Sequence, residues 1–219
     1  MFIGHYALGL AAKRIVPRTS LGTLIAAPTL ADLLWPLFLL FGWERVTNVG
    51  GSNPFLTLRF DSYPYSHSLL ALIGWGALVA ALYRMQTGYA RGALVVGLLV
   101  VSHWFLDYIV HVPDLPLYPG PRSPKVGLGL WNSPHATIIV ETLVFLAGVG
   151  LYLMTTRARD RIGSYGLAGF LLLLSLSYVA SIYSQPPSNV KVLAIGGVVF
   201  GWLFVAIAAW VDGHRESVA

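Results

Sequence analysis

Gly92-Ala93-Leu94-Val95-Val96-Gly97-Leu98-Leu99-Val100-Val101-Ser102-His103-Trp104-Phe105-Leu106-Asp107-Tyr108-Ile109-Val110-His111 decides how this chain is read. Its first half is an uninterrupted apolar run, and its second half continues at helical spacing with three ionisable residues. His103, Asp107 and His111 are successive i, i+4 neighbours, so on a helix all three share one narrow face. An ionisable side chain inside a bilayer-spanning helix is costly and faces a cavity or the bundle interior, which makes it a functional signal. Three potential metal ligands on one stripe of a membrane helix point to a buried polar site.

The surrounding composition agrees. Of 219 residues, 56% are hydrophobic and 11% charged, with a mean hydropathy of +0.70, which excludes an ordinary soluble domain. Apolar runs of spanning length occur at Leu21–Gly42, Ser68–Tyr83, Ala93–Val110, Ala136–Met154, Ser164–Ile182 and Val192–Val211. The expected fold is therefore an all-α polytopic membrane protein with six transmembrane helices. Residues 1–219 form one integral-membrane domain, with 1–145 holding the metal-site region and 146–219 supplying scaffold helices. Residues 1–16 are too short to span and end in Lys13, Arg14, Pro17 and Arg18, the pattern of a short N-terminal half-membrane helix. The N-terminal residues carry no charged leader before the apolar stretch, so no cleaved signal peptide is expected. The formal charge of +5 suits cytoplasm-facing loops, and no nucleic-acid partner is expected. Lys13, Arg14, Arg18, Arg84, Arg91, Arg157, Arg159, Arg161 and Arg215 fall on the face that holds both termini. Only Arg45, Arg59, Arg122, Lys125 and Lys191 fall on the other. That bias predicts both termini in the cytoplasm of a prokaryotic inner membrane.

The connectors are unequal. Turns on the basic face are tight, whereas Trp43–Ser66 and Val112–Pro134 on the other face are long. The second holds Pro113, Pro116, Pro119, Pro121, Pro124 and Pro134 and reads as a stiff, irregular loop, neither helix nor strand. Leu115, Leu117, Tyr118 and Trp131 suggest an ordered cap or an interfacial anchor at the membrane surface.

Helical rise of about 1.5 Å per residue, counted from the basic face, places His5 roughly 14 Å deep and Asp32 and His103 about 18–21 Å deep. Asp107 and Glu141 come to roughly 24 Å, His67 to about 25 Å, and His111 and His135 to about 30 Å, at the opposite interface. Eight ionisable groups from six segments thus fall in the middle and outer half of the membrane, as a polar basin open toward the long loops. Each residue alone has an ordinary reading. Asp32, between Pro28 and Pro36, could bond backbone freed by a kink; Glu141 could pair with a hydroxyl; His135 could be a first-turn residue; His214 reads as a solvated tail residue. Packed together, carboxylates and imidazoles call for a bound cation, and a divalent metal is the simplest. With no cysteine in the chain, imidazole and carboxylate are the available ligands.

Gly4-His5, Ala31-Asp32, the Ser-His-Ser-Leu-Leu of Ser66–Leu70 and the Ser-His-x3-Asp of Ser102–Asp107 together resemble the membrane-bound metal-dependent hydrolase family. The resemblance covers roughly residues 1–145, and the same order is similar to the metal ligands of zinc-dependent phospholipase C and related single-strand nucleases. It implies the ligand set His5, Asp32, His67, His103 with Asp107, His111, and His135 with Glu141. The chain departs from the pattern in three places. Asp32 is followed by Leu33, Leu34 and Trp35 rather than a further Asp or His; Tyr63-Pro64-Tyr65 replaces a basic residue; and His135 and Glu141 stand six apart rather than four.

These residues suggest a hydrolase that attacks a phosphoester or ester bond of a lipid-like substrate from the bilayer through metal-activated water. The cofactor would be zinc, with manganese as alternative, and one site is better supported than several. Asp32 would orient or deprotonate the water, and Arg59, Arg122 or Lys125 from the long loops would help hold developing negative charge. Two other classes compete. A non-catalytic, metal-stabilised scaffold fits the missing supporting groups, and a metal or proton transporter fits intramembrane His and Asp but finds no polar residue in the basic-side part of any span.

Overall fold

The computed structural model describes residues 1–218. Three short helices open the chain: α1 (Ile3–Ala12), α2 (Leu21–Ala26) and α3 (Leu30–Leu40). A hairpin of β1 (Arg45–Asn48) and β2 (Leu58–Ser62) and a single turn, α4 (Pro64–His67), lead into α5 (Leu69–Thr87) and α6 (Ala90–Val110). The second long loop carries β3 (Leu115–Pro116) and β4 (Lys125–Val126) before α7 (Pro134–Thr155). The chain ends with β5 (Thr156–Ala158), α8 (Leu167–Tyr183), α9 (Val190–Gly213) and β6 (Arg215–Ser217).

Among the described residues, five helices are long and apolar enough to cross a bilayer: α5, α6, α7, α8 with the turn before it (Ile162–Tyr183), and α9. They correspond to the last five expected spans. The first expected span, Leu21–Gly42, is instead broken into α2 and α3. Pro28 has no N–H to offer the carbonyl of Leu24, and the chain turns there with Thr29 bonding the Ile25 carbonyl through its hydroxyl (2.7 Å). The expectation of a purely helical chain is also corrected. Among the described residues are three antiparallel two-stranded ribbons, β1–β2, β3–β4 and β5–β6. One of them lies in the proline-rich loop read as neither helix nor strand, where a ladder two residues long accommodates Pro116. The tail after α9 is likewise held: β6 pairs with β5, Arg215 buries its guanidinium against Thr156 and the Gly163 carbonyl, and His214 bonds Asp160 Oδ2 at 2.7 Å.

Helix ends follow local chemistry. The Ser68 hydroxyl accepts the Ala71 N–H at the start of α5, and Gly88 closes that helix with a φ of +69°, a backbone shape that disfavours any side chain. Pro134 occupies the first turn of α7, where its missing N–H costs nothing. Between helices, small residues allow backbone approach. A Cβ on Gly76 of α5 would stand 2.8 Å from the Gly97 carbonyl oxygen of α6, so the two helices touch through their backbones. Helix α1 is gripped in the same way. A Cβ on Gly148 of α7 would overlap the Ala7 carbonyl and lie 2.7 Å from its Cα, and Gly9 lies against the Leu24 backbone of α2. The basic end of α1 is fixed by a buried ion pair, Lys13 Nζ to Asp212 Oδ2 at 2.7 Å, and Asp212 also accepts the Leu21 N–H and the Tyr152 hydroxyl.

This packing predicts a contrast between two glycines on α7. Gly148→Leu drives a side chain into the α1 backbone and is expected to cost more than the ~1–3 kcal/mol typical of overpacking, because neither backbone can move aside. Gly150→Leu, whose Cβ meets nothing within 4 Å, is expected to leave thermal stability in detergent nearly unchanged. Equal melting temperatures for the two variants would contradict this account of how α1 is seated.

Candidate metal centre

The centre forms around Asp107, which is 2% exposed. Its Oδ2 lies 3.0 Å from His103 Nε2, 3.6 Å from His111 Nε2 and 3.9 Å from His67 Nε2. Its Oδ1 meets His5 Nε2 at 3.0 Å and the Met1 amino group. Asp32 Oδ1 completes the cluster, 3.6 Å from His67 Nε2 and 4.0 Å from His103 Nε2. His5 and His103 are wholly buried, and their rings stack in parallel with centroids 3.9 Å apart. Asp32 is the open member, its side chain 46% accessible, so it stands at the mouth. Two sets of side chains could each converge on one ion: His5, His103 and Asp107, and Asp32, His67 and His103.

Each histidine is oriented from behind. His103 Nδ1 lies 2.8 Å from the Pro28 carbonyl, which can only accept, so Nδ1 carries the proton and Nε2 presents a lone pair to the cluster. The helix break at Pro28 thus fixes the tautomer of a residue 75 positions away. His67 Nδ1 donates to the Ser66 hydroxyl (2.7 Å), which in turn donates to Glu44 Oε2 (2.6 Å). His111 Nδ1 donates to Asp114 Oδ1 (2.9 Å), which also accepts the Tyr63 hydroxyl at 2.9 Å. A carboxylate or carbonyl behind the ring is the arrangement that orients metal-binding imidazoles. In His5 the pattern is reversed: Nε2 donates to Asp107, leaving Nδ1 buried without a partner. His103 Nε2, which in this tautomer carries no proton to give the nearby Asp107 carboxylate, is also without a hydrogen-bond partner among the described residues.

The local fold explains these placements. Pairing of Arg45 with Ser62 sets the residue before β1, Glu44, beside α4, where its Oε1 accepts the first-turn N–H groups of Tyr65 and Ser66 at 2.8 and 2.9 Å. Glu141, on α7, accepts the N–H groups of Phe2 (2.8 Å) and Gly4 (3.4 Å), so its carboxylate caps α1 and holds His5 in place. The proline-rich loop folds onto the end of α6: the Gly129 N–H bonds the His111 carbonyl at 2.7 Å, and the Trp131 ring packs on the His111 ring with centroids 4.0 Å apart.

Of the residues singled out from the sequence, the structure gathers His5, Asp32, His67, His103, Asp107 and His111 around one point. Glu141 stands next to them as a cap. His135 is exposed on the first turn of α7 and makes none of the cluster's contacts among the described residues. Arg59 pairs with Asp61 at 2.8 Å, and Arg122 and Lys125 are exposed in the second long loop. Glu44 and Asp114 were not anticipated. The Ser66-His67 pair and the short spacing from His111 to Asp114 hinted at hydroxyl and carboxylate partners, but Glu44 reaches His67 only through the strand pairing of a loop.

A bundle of apolar helices enclosing a His/Asp cluster defines an integral membrane protein with a buried polar centre. A family model described as YdjM inner membrane protein matches residues 63–187, more than half of the chain, and the chain belongs to that family as an integral protein of the inner membrane. The matched segment includes His67, His103, Asp107 and His111 but not His5, Asp32 or Glu44. No curated protein and no solved structure matches it.

Glu44→Gln, Ser66→Ala and Asp114→Asn each loosen an orienting group without removing a cluster residue. Each is expected to weaken zinc binding about 10–100-fold, read by chelator competition on the detergent-solubilised protein. Zinc affinities equal to wild type in all three would separate these groups from the centre.

Proposed function

We propose that this protein is a metal-dependent hydrolase that cleaves a phosphoester bond, or an ester bond, of a lipid-like substrate. The observation that carries the reading is the convergence of four imidazoles on one buried carboxylate, three of them held from behind so that Nε2 faces inward. The donor set fits a divalent ion. It is rich in imidazole, free of thiolate and completed by carboxylates, which suits zinc first and manganese second. The buried, unpartnered Nδ1 of His5 and Nε2 of His103 fit as well, since such nitrogens are rare without a ligand. His5, His103 and Asp107 would hold one ion, with His67 and Asp32 at its open side. The resemblance to membrane-bound metal-dependent hydrolases and to zinc-dependent phospholipase C implies these five together with His111, His135 and Glu141.

Bound there, the metal supplies Lewis acidity and lowers the pKa of nearby water toward neutrality. Asp32, the accessible carboxylate, would be the residue that orients a water at the open side and accepts its proton. His67 stands beside Asp32 and is kept from turning by Ser66 and Glu44. Arg59, Arg122 and Lys125, on the loops, meet the negative charge of a substrate head. The C-terminal tail meets the far end of α1 at the basic end of the bundle, through Lys13–Asp212 and the Ser217 hydroxyl on the Pro17 carbonyl, whereas the Met1 amino group is buried against Asp107 in the centre, which corrects the expectation that both termini lie on the basic face. The excess of Lys and Arg at the basic end supports a cytoplasmic position for it.

A metal-stabilised scaffold is the second reading, favoured by the complete burial of His5 and His103. Against transport stands the core on the basic side of the cluster, where Leu10, Leu21, Leu24, Ile25, Val96 and Val100 are all fully buried and offer no polar route.

Elemental analysis of the purified chain beside a His103→Ala, Asp107→Ala variant tests the reading. About one zinc or manganese per chain is expected in wild type and none in the variant, followed by metal-dependent release of phosphate or head group from lipid phosphoesters. A folded wild type that takes up no metal removes the hydrolase and the metal-stabilised scaffold together. Metal without turnover of any lipid phosphoester or ester leaves the scaffold.

A further inference from the structure

Five buried side-chain polar atoms lack a hydrogen-bond partner among the described residues: His5 Nδ1, His103 Nε2, Trp35 Nε1, Trp131 Nε1 and the Tyr178 hydroxyl. Buried donors left unpaired are uncommon, and each asks for a ligand, a water or a strained contact. The two histidine nitrogens belong to the metal centre. The two indole N–H groups are not explained by it.

Both indoles stand in one aromatic wall against the centre. Phe60 of β2 is its middle, with ring centroids 5.5 Å from Trp35, 5.3 Å from His111, 5.1 Å from Tyr63 and 6.4 Å from Trp131. Trp131 packs directly on His111, whose Nε2 faces Asp107. Trp35 lies three residues after Asp32 on α3, so it shares a helix face with the open carboxylate. The wall is built from three separate segments, since Trp35 comes from α3, Phe60 and Tyr63 from the first long loop, and Trp131 from the second. The Trp131 carbonyl is tied to the first loop by the Asn53 side-chain N–H at 2.8 Å.

An indole N–H can only donate. A ligand that satisfies two such donors, both packed on Phe60, does so most readily with more than one acceptor oxygen, and a phosphoryl group offers several where an ester carbonyl offers one. Neutral donors in an apolar wall also bind an oxyanion without placing an arginine or lysine at membrane depth, where a cation is costly. The cations of the two long loops would act at the outer surface and are no part of this wall: Arg59 is paired to Asp61, and Arg122 and Lys125 are exposed.

We infer that Trp35 and Trp131 are a donor pair that binds the phosphoryl oxygens of the substrate through their indole N–H groups. The ligand class rests on the hydrolase reading, which it narrows to phosphoesters; the unpaired donors do not depend on it. The two tryptophans are positioning residues of the mouth, distinct from the cluster that holds metal.

The experiment is a titration of inorganic phosphate into the full chain labelled with ¹⁵N at its indoles, in detergent, with and without zinc. The Trp35 and Trp131 resonances are assigned by Trp35→Phe and Trp131→Phe, which keep one aromatic ring and remove the indole N–H, with zinc content as the check that the smaller ring leaves the centre intact. Expected are downfield shifts of those two indole protons on adding phosphate. Each variant should bind phosphate about tenfold more weakly, as befits loss of one hydrogen bond to a charged acceptor, with zinc content unchanged. Phosphate that binds without moving either resonance, or equally well in both variants, overturns the inference and leaves the metal centre standing. No phosphate binding in either form also overturns it. A chain that takes up no zinc, yet shows both shifts, overturns the hydrolase reading alone.

Discussion

The carboxylate of Asp107 is buried near the end of a membrane helix whose other face is apolar, and the rest of the molecule is arranged to make that tolerable. A buried carboxylate is costly unless it is paired and hydrogen-bonded. Here four imidazoles and an amino group surround it, drawn from α1, the end of α4 and two further turns of α6 itself. Helix α1 is held in the bundle by features that have no function of their own. Gly148 lets it lie directly on α7, Glu141 caps its first turn, and the Lys13–Asp212 pair anchors its far end. Each brings His5 to Asp107.

Irregular backbone at membrane depth is tolerated only where protein or an internal cavity covers it. This chain uses such backbone as part of the centre. The break at Pro28 leaves a carbonyl that accepts from His103 and fixes its tautomer. The turn at α4 leaves N–H groups that Glu44 accepts, and the same carboxylate then holds Ser66 and, through it, His67. Helix α9, without a charged group inside the membrane, serves this arrangement too. Its Gly197 and Gly201 admit Pro36 and Leu33 of α3 at close range, so that Asp32 and Trp35 are presented toward the cluster.

What could be read from the sequence divides along local and non-local lines. The five long helices were legible because hydropathy over about 20 residues is a local property. The face shared by His103, Asp107 and His111 was legible because helical spacing is fixed. Depth counting also gathered His5, Asp32 and His67, since rise per residue converts sequence distance into height. Height does not give direction around the bundle, which is why Glu141 looked like a ligand when its carboxylate meets the backbone of α1. The two prolines of the first expected span were visible, but continuous hydropathy outweighed them. Glu44 and Asp114 escaped because their roles depend on how two long loops fold back, and the strand pairing that brings Glu44 to Ser66 leaves no periodic trace in either segment.

The two sides of the cluster differ in a way that bears on access. Toward the basic end lies a plug of fully buried aliphatic side chains, among them Leu10, Leu24, Ile25 and Val100. Toward the long loops lie Asp32, half accessible, and the wall of Trp35, Phe60, Tyr63 and Trp131. Among the described residues, the accessible member of the cluster therefore lies on the side of the long loops, beside a surface made mainly of aromatic rings. Such rings sit readily at the level where lipid head groups meet acyl chains, because they combine an apolar face with a polar edge. A molecule that spans the same boundary, with a hydrocarbon part in the bilayer and an oxygen-rich part above it, matches that surface better than a small soluble ester does. Under the proposed hydrolase reading, this asymmetry favours a substrate already resident in the membrane over one that arrives from solution.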